Sequence, residues 1–112
     1  FVVELTEQGK RRVCEFQFTD LEIKKPKAWD RIWRMVAFDI PNTKNKARGA
    51  LRSKLQYLGF YQMQKSIWVF PYPCEQEIEF LVELFDVYPY VQLMETRKIG
   101  NDIKLRKHFH LL

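Results

Sequence analysis

An α+β sandwich, in which two helices pack on one face of an antiparallel sheet, is the fold class this sequence predicts. Three observations carry the prediction. Stretches with apolar residues at helical spacing alternate with stretches rich in aromatic and β-branched residues, and glycines and prolines separate them. The order from residue 31 to residue 100 reads strand, helix, strand or strand pair, helix, strand, which suits a ferredoxin-like strand-helix-strand-strand-helix-strand unit. At 112 residues, 46% of them hydrophobic, with nine Phe, five Tyr and three Trp, the chain has ample material for one core.

The unit opens on "WRMVAFDIPN", residues 33–42. Met35 to Phe38 form an apolar run that Ile40 extends, the pattern of a strand covered on both faces. Asp39 interrupts it just before Pro41, and an ionised carboxylate at a strand end needs a reason. Residues 43–58, "TKNKARGALRSKLQYL", place Ala47, Ala50, Leu51, Leu55 and Leu58 three and four apart. This predicts an amphipathic helix capped by Asn42 or Thr43, stopped at Gly59 and basic on its outer face. "FYQMQKSIWVFPYP", residues 60–73, predicts one long strand or two short ones meeting near Lys65 and Ser66, ended by Pro71 and Pro73. "CEQEIEFLVELFDV" repeats the helical pattern, with Ile78, Leu81, Val82 and Phe85 on one stripe. "YPYVQLMETRKI", residues 88–99, alternates as a closing strand.

Two helices cover one sheet face only, so the other needs a cover. Residues 1–30 form an N-terminal extension and residues 101–112 a tail in which Leu105, Phe109 and Leu112 recur at helical spacing. Either flank, or a partner subunit, supplies the cover. The aromatics Tyr61, Trp68, Phe70 and Tyr72 on the strands are the patch expected to drive association of two copies.

Composition excludes several classes. No apolar stretch approaches the roughly 20 residues of a membrane span, and the first residues lack the order of a secretory signal. With only Cys14 and Cys74, no CxxC pair and only two histidines, His108 and His110, neither a disulfide framework nor a zinc site is indicated, and a cytoplasmic location follows. The net charge of +5 does not by itself imply nucleic acid. Its distribution is more informative: Lys44, Lys46, Arg48, Arg52 and Lys54 lie in a stretch without an acid, and Glu75, Glu77, Glu79, Glu83 and Asp86 in one without a base.

Two readings stand for Asp39. A carboxylate held at a strand end suits Mg²⁺ or Mn²⁺, with a second carboxylate from the Asp39 of a twofold-related subunit, since no DxD or ExxxD lies nearby. Alternatively it caps the following turn, accepting backbone N–H groups near Thr43. Two readings likewise stand for the basic helix: a face that tracks phosphates of double-stranded DNA or RNA, or a solvated surface. Ser66 and His108 lack any glycine elbow or oxyanion device, so triad hydrolysis is not indicated.

At "RMVAFDIP", the basic helix and "GFYQMQKSIWVFP" the pattern resembles the CRISPR-associated Two family, the small subunit of the spacer-acquisition complex. The resemblance spans residues 32–99 and is closer still to the central domain of PaaX-type transcriptional repressors, which shows these "FDIP" and "QKS" versions. It implies a ferredoxin-like homodimer whose strand-end aspartates face each other across the dimer axis, where some members bind a divalent metal and cleave nucleic acid. By position Asp39 matches that aspartate, and Gln64 and Ser66 match a polar pair on the second strand. Trp68-Val69 stand where the CRISPR family often has Phe-Glu, and "LTEQGKRRV", residues 5–13, resembles the closing piece of a winged helix-turn-helix. Two roles are therefore expected. The first is a homodimer that handles duplex nucleic acid in spacer acquisition, beside the CRISPR integrase subunit or as a weak metal-dependent nuclease. The second is the dimerisation and effector core of a PaaX-like regulator. A protein-interaction module is the third reading.

Overall fold

The computed structural model describes residues 17–112; Cys14 and the "LTEQGKRRV" segment lie outside the described residues. Strand β1 (Trp33–Phe38) leads through a 3-10 turn (Asn42–Lys44) into helix α1 (Asn45–Tyr57). Strands β2 (Tyr61–Gln64) and β3 (Ile67–Phe70) form a hairpin, then come helix α2 (Glu75–Leu84), a 3-10 turn (Tyr88–Tyr90), strand β4 (Val91–Thr96) and helix α3 (Ile103–His108). The sheet order is β2-β3-β1-β4 with every neighbouring pair antiparallel. This is the expected α+β, ferredoxin-like arrangement.

Residues 60–73 resolve into two strands that turn at Lys65 and Ser66. The register slips between Gln62 and Gln64, so β2 carries one residue more than β3 and bends there. Helix α1 starts differently from the expectation: neither Asn42 nor Thr43 caps it by a side-chain hydrogen bond, and Lys44 stands at its N-cap. A 3-10 turn after Pro41 leads the chain in instead, with the Lys44 N–H donating to the Pro41 carbonyl at 2.9 Å. Its far end follows the expectation. Gly59 takes φ 96°, a left-handed conformation that only glycine adopts without strain. Its N–H reaches the Gln56 carbonyl and that of Phe60 reaches Leu55, the paired bonds of a Schellman stop. Asp86 and His110 end α2 and α3 in the same way, at φ 54° and 57°.

Register sorts the strand residues between two cores. Val36, Phe38, Trp68 and Phe70 face α1 and α2 and pack with Leu51, Leu55, Ile78, Leu81 and Val82. Trp33 and Val69 face the other way, where Leu105 of α3 is buried against them with Trp29, Met35, Tyr61 and Met63 around. The tail therefore covers this second face, as its spacing predicted, but only at the Trp33 end. Leu112 does not join it: α3 stops at His108, Leu111 packs instead, and Leu112 is exposed. The aromatics also divide differently from the expectation. Trp68, Phe70 and Tyr72 belong to the helix-side core, and only Tyr61 lies on the second face. Cys74, buried in the helix-side core, has its thiol pushed up to about 12 chiefly by desolvation, which makes it a packing residue rather than a reactive one.

Arg34 ties the sheet to the chain before it. Its buried guanidinium holds both Asp30 oxygens, at 2.8 and 2.6 Å, and donates to the Ile32 and Pro71 carbonyls at 2.9 Å each. The guanidinium beside Asp30 draws that carboxyl below the usual carboxylate range. Arg34→Ala should lower the unfolding free energy by about 2–3 kcal/mol, because it strands a buried carbonyl and a carboxylate together. Asp30→Ala should cost about 1 kcal/mol or less, since Asp30 is half exposed. Urea unfolding of both variants checks the asymmetry.

Candidate functional site

The end of β1 is where the predicted polar residues meet. The Phe38 N–H donates to the Ser66 carbonyl at 3.1 Å and the Asp39 N–H to the Tyr90 carbonyl at 2.9 Å, so the backbone is pinned from both sides just where the strand gives way. The Asp39 side chain is exposed, in an open cleft of about 430 Å³ that Ser66, Ile67, Tyr90 and Gln92 also line. Asp39 and Ser66 are thus brought together. Gln64, at the exposed end of β2, is not among the residues that line the cleft.

No side-chain cap is present on the turn after Pro41, and among the described residues the Asp39 carboxylate has no hydrogen-bond or ion-pair partner. The turn is held by other bonds, so the capping role is not what Asp39 does. Nor does one chain by itself fit Mg²⁺ or Mn²⁺. Among the described residues no three His, Cys, Asp or Glu side chains group together, and a divalent cation takes several oxygen ligands.

The basic helix is built into the fold more than the sequence suggests. Lys44 donates to the Asp86 carbonyl and carboxylate, at 2.8 and 3.1 Å, latching the C-terminal end of α2. Arg48 reaches the Ile40 carbonyl and the Asn42 side chain, at 3.1 and 3.2 Å. Arg52 reaches the Lys65 carbonyl at 2.8 Å. These two arginines, one helical turn apart, hold the two loops that flank the Asp39 cleft. Lys54 is only 6% exposed, donates to the Phe18 carbonyl at 2.6 Å and lies over the rings of Phe18 and Tyr57. Only Lys46 of the five is exposed and without a partner among the described residues. Spacing along a helix shows which residues share a face, but not which neighbouring carbonyls they meet, and that is why the sequence alone missed these roles.

A second feature escaped the sequence. Met35 pairs directly with Met94 across β1 and β4, and Met63 packs on the same side of the sheet. All three methionines of the chain therefore lie on the face that α3 leaves partly open, and Met94 is 40% exposed. The strands that carry Met35 and Met94 were visible, one as an apolar run and the other as an alternation, whereas the register that pairs the two residues was not.

Two substitutions separate the cations by role. Lys54→Met should lower stability by about 1–2 kcal/mol through the unpartnered Phe18 carbonyl, whereas Lys46→Gln should stay within roughly 0.5 kcal/mol of the parent. Thermal unfolding reads both. Asp39→Asn should likewise leave the melting temperature of the monomer unchanged; a loss near that of a helix or turn cap, about 1 kcal/mol, would restore the capping role.

Among the described residues, no helix is long and apolar enough to cross a membrane. Comparison with curated proteins and with solved structures returned no significant match. The family model described as the PaaX protein central Cas2-like domain matches residues 26–107, a span that takes in the whole sheet, its helices and nearly all of α3. The chain belongs to the family of the PaaX protein central Cas2-like domain.

Proposed function

We propose that this chain is the dimerisation domain of a PaaX-like transcriptional regulator, joining two copies through the partly open face of its sheet. The observation that carries the reading is the gathering of Met35, Met63 and Met94 on that face, the first two half-buried beside the Leu105 cluster and Met94 40% exposed. Methionine is flexible and polarisable, so a patch of it adapts to an identical patch about a twofold axis. Burying it adds about 25 cal/mol per Å² of apolar area. The family supports a regulator over a spacer-acquisition role, because the match is to the PaaX version of the domain.

Light scattering at tens of micromolar should give twice the chain mass. Met94→Lys, at an edge position that tolerates a polar residue in the monomer, should raise the dissociation constant at least about tenfold by placing an ammonium in the contact. Unchanged circular dichroism would show that the fold survives. A monomeric parent at that concentration would contradict the reading.

A further inference from the structure

The chain carries a second population of cations, and its placement differs from that of the helix α1 residues. β1 begins at Trp33 opposite Thr96, the last residue of β4. Arg31 on one side and Arg97 and Lys98 on the other therefore leave the sheet at the same end. Trp29 folds back on this end, its indole N–H donating to the Ile32 carbonyl at 3.1 Å and its ring 4.7 Å from that of Trp33. Helix α3 closes the same corner: Leu105 is buried with Trp33, Asp102 accepts from the Trp33 indole at 3.4 Å, and the Arg106 guanidinium lies 5.3 Å from the Trp29 ring. Three chain segments thus converge on one end of the molecule.

Lys27, Arg31, Arg97, Lys98, Lys104 and Lys107 project from these segments, and all six are exposed. Among the described residues none of their charged groups has a hydrogen-bond or ion-pair partner. Lys104 and Lys107 are three apart on α3, so they share the side turned away from Leu105. Of the three acids in or beside these segments, two are already engaged and Glu95, two residues before Arg97, is exposed. Asp30 is held by Arg34, and Asp102 by Arg106 at 2.9 Å. Six exposed cations therefore outnumber the exposed Glu95 at this corner and leave it net positive, although Glu75 and Glu77, at the start of α2, lie near the same end of the sheet.

We propose that this basic end, rather than helix α1, is a phosphate-backbone surface for duplex DNA. Charge complementarity selects the partner: six unpaired cations spread over three rigidly joined segments match a surface that presents a negative charge at short, regular intervals. Contacts of this type position a protein on a duplex without reading its sequence. The inference goes beyond the dimerisation reading and stands independently of it, because every residue involved comes from one chain.

Binding of the whole chain to a fluorescein-labelled duplex of arbitrary sequence, followed by anisotropy across a salt series, tests it. The Met94→Lys monomer serves beside the parent, so failure to dimerise and failure to bind DNA are separate results. The logarithm of the binding constant should fall with the logarithm of salt at a slope of about −5 if all six cations engage. Lys104→Gln with Lys107→Gln should reduce the magnitude of that slope by about two, whereas Lys46→Gln on α1 should leave it unchanged. Three results would overturn the assignment: no binding at low salt, an unchanged slope in the double variant, or competition by poly-glutamate as effective as by unlabelled duplex, which would point to an acidic protein instead.

Discussion

The fold depends on β1 being covered on both faces. It is an inner strand of the sheet, paired with β3 on one side and β4 on the other, and its residues alternate between two separate cores. Val36 and Phe38 lie under the long helices, and Trp33 lies under α3. A strand with a single buried face reads as an alternation of apolar and polar residues; one with two reads as a continuous apolar run, which is how "MVAF" appears. The run has to stop where neither layer extends, and it stops at Asp39, whose backbone is still pinned by Ser66 and Tyr90 while its side chain enters an open cleft. Coverage of β1 thus determines both the stability of the sheet and the location of its one strand-end carboxylate.

The two layers are unequal, and the inequality has consequences. The helix side is sealed by α1 and α2 with the large aromatics Phe60, Trp68 and Phe70. The other side is closed only near Trp33, by a helix of six residues. The methionines on this side are only half-buried, or exposed in the case of Met94. A thin second layer leaves room for a second copy while the first layer holds the monomer together, so association does not have to supply the folding energy. Asp39, Ser66 and Ile67 line one open cleft at the end of β1.

Element order and the Gly59 stop were legible in the sequence because each follows from local spacing and backbone preference. The hairpin at Lys65 and Ser66 was legible as one of two alternatives. Facing was not. A one-residue change of register moves Trp68 and Phe70 from one face to the other, and the bulge between Gln62 and Gln64 is the kind of irregularity that no period reveals. The charged residues divide along the same line. The absence of acids from α1 was plain, but whether Lys44, Arg48, Arg52 and Lys54 meet water or backbone depends on loops that arrive from Phe18, Ile40, Lys65 and Asp86. The cations that do meet water come from short segments far apart in the chain, and only the pairing of β1 with β4 and the docking of α3 bring them together.

Two copies would join through the second sheet face, where α3 covers it only in part. The chain supplies its own reporters, since its three methionines, Met35, Met63 and Met94, all lie there. Carbon-13 labelling of the methionine methyl groups gives three signals to follow by NMR as the protein is diluted from near millimolar to low micromolar concentration. All three should shift together along one dissociation curve. Three signals that hold their positions throughout the dilution, in a sample whose mass still falls by half, would place the contact elsewhere and contradict that prediction.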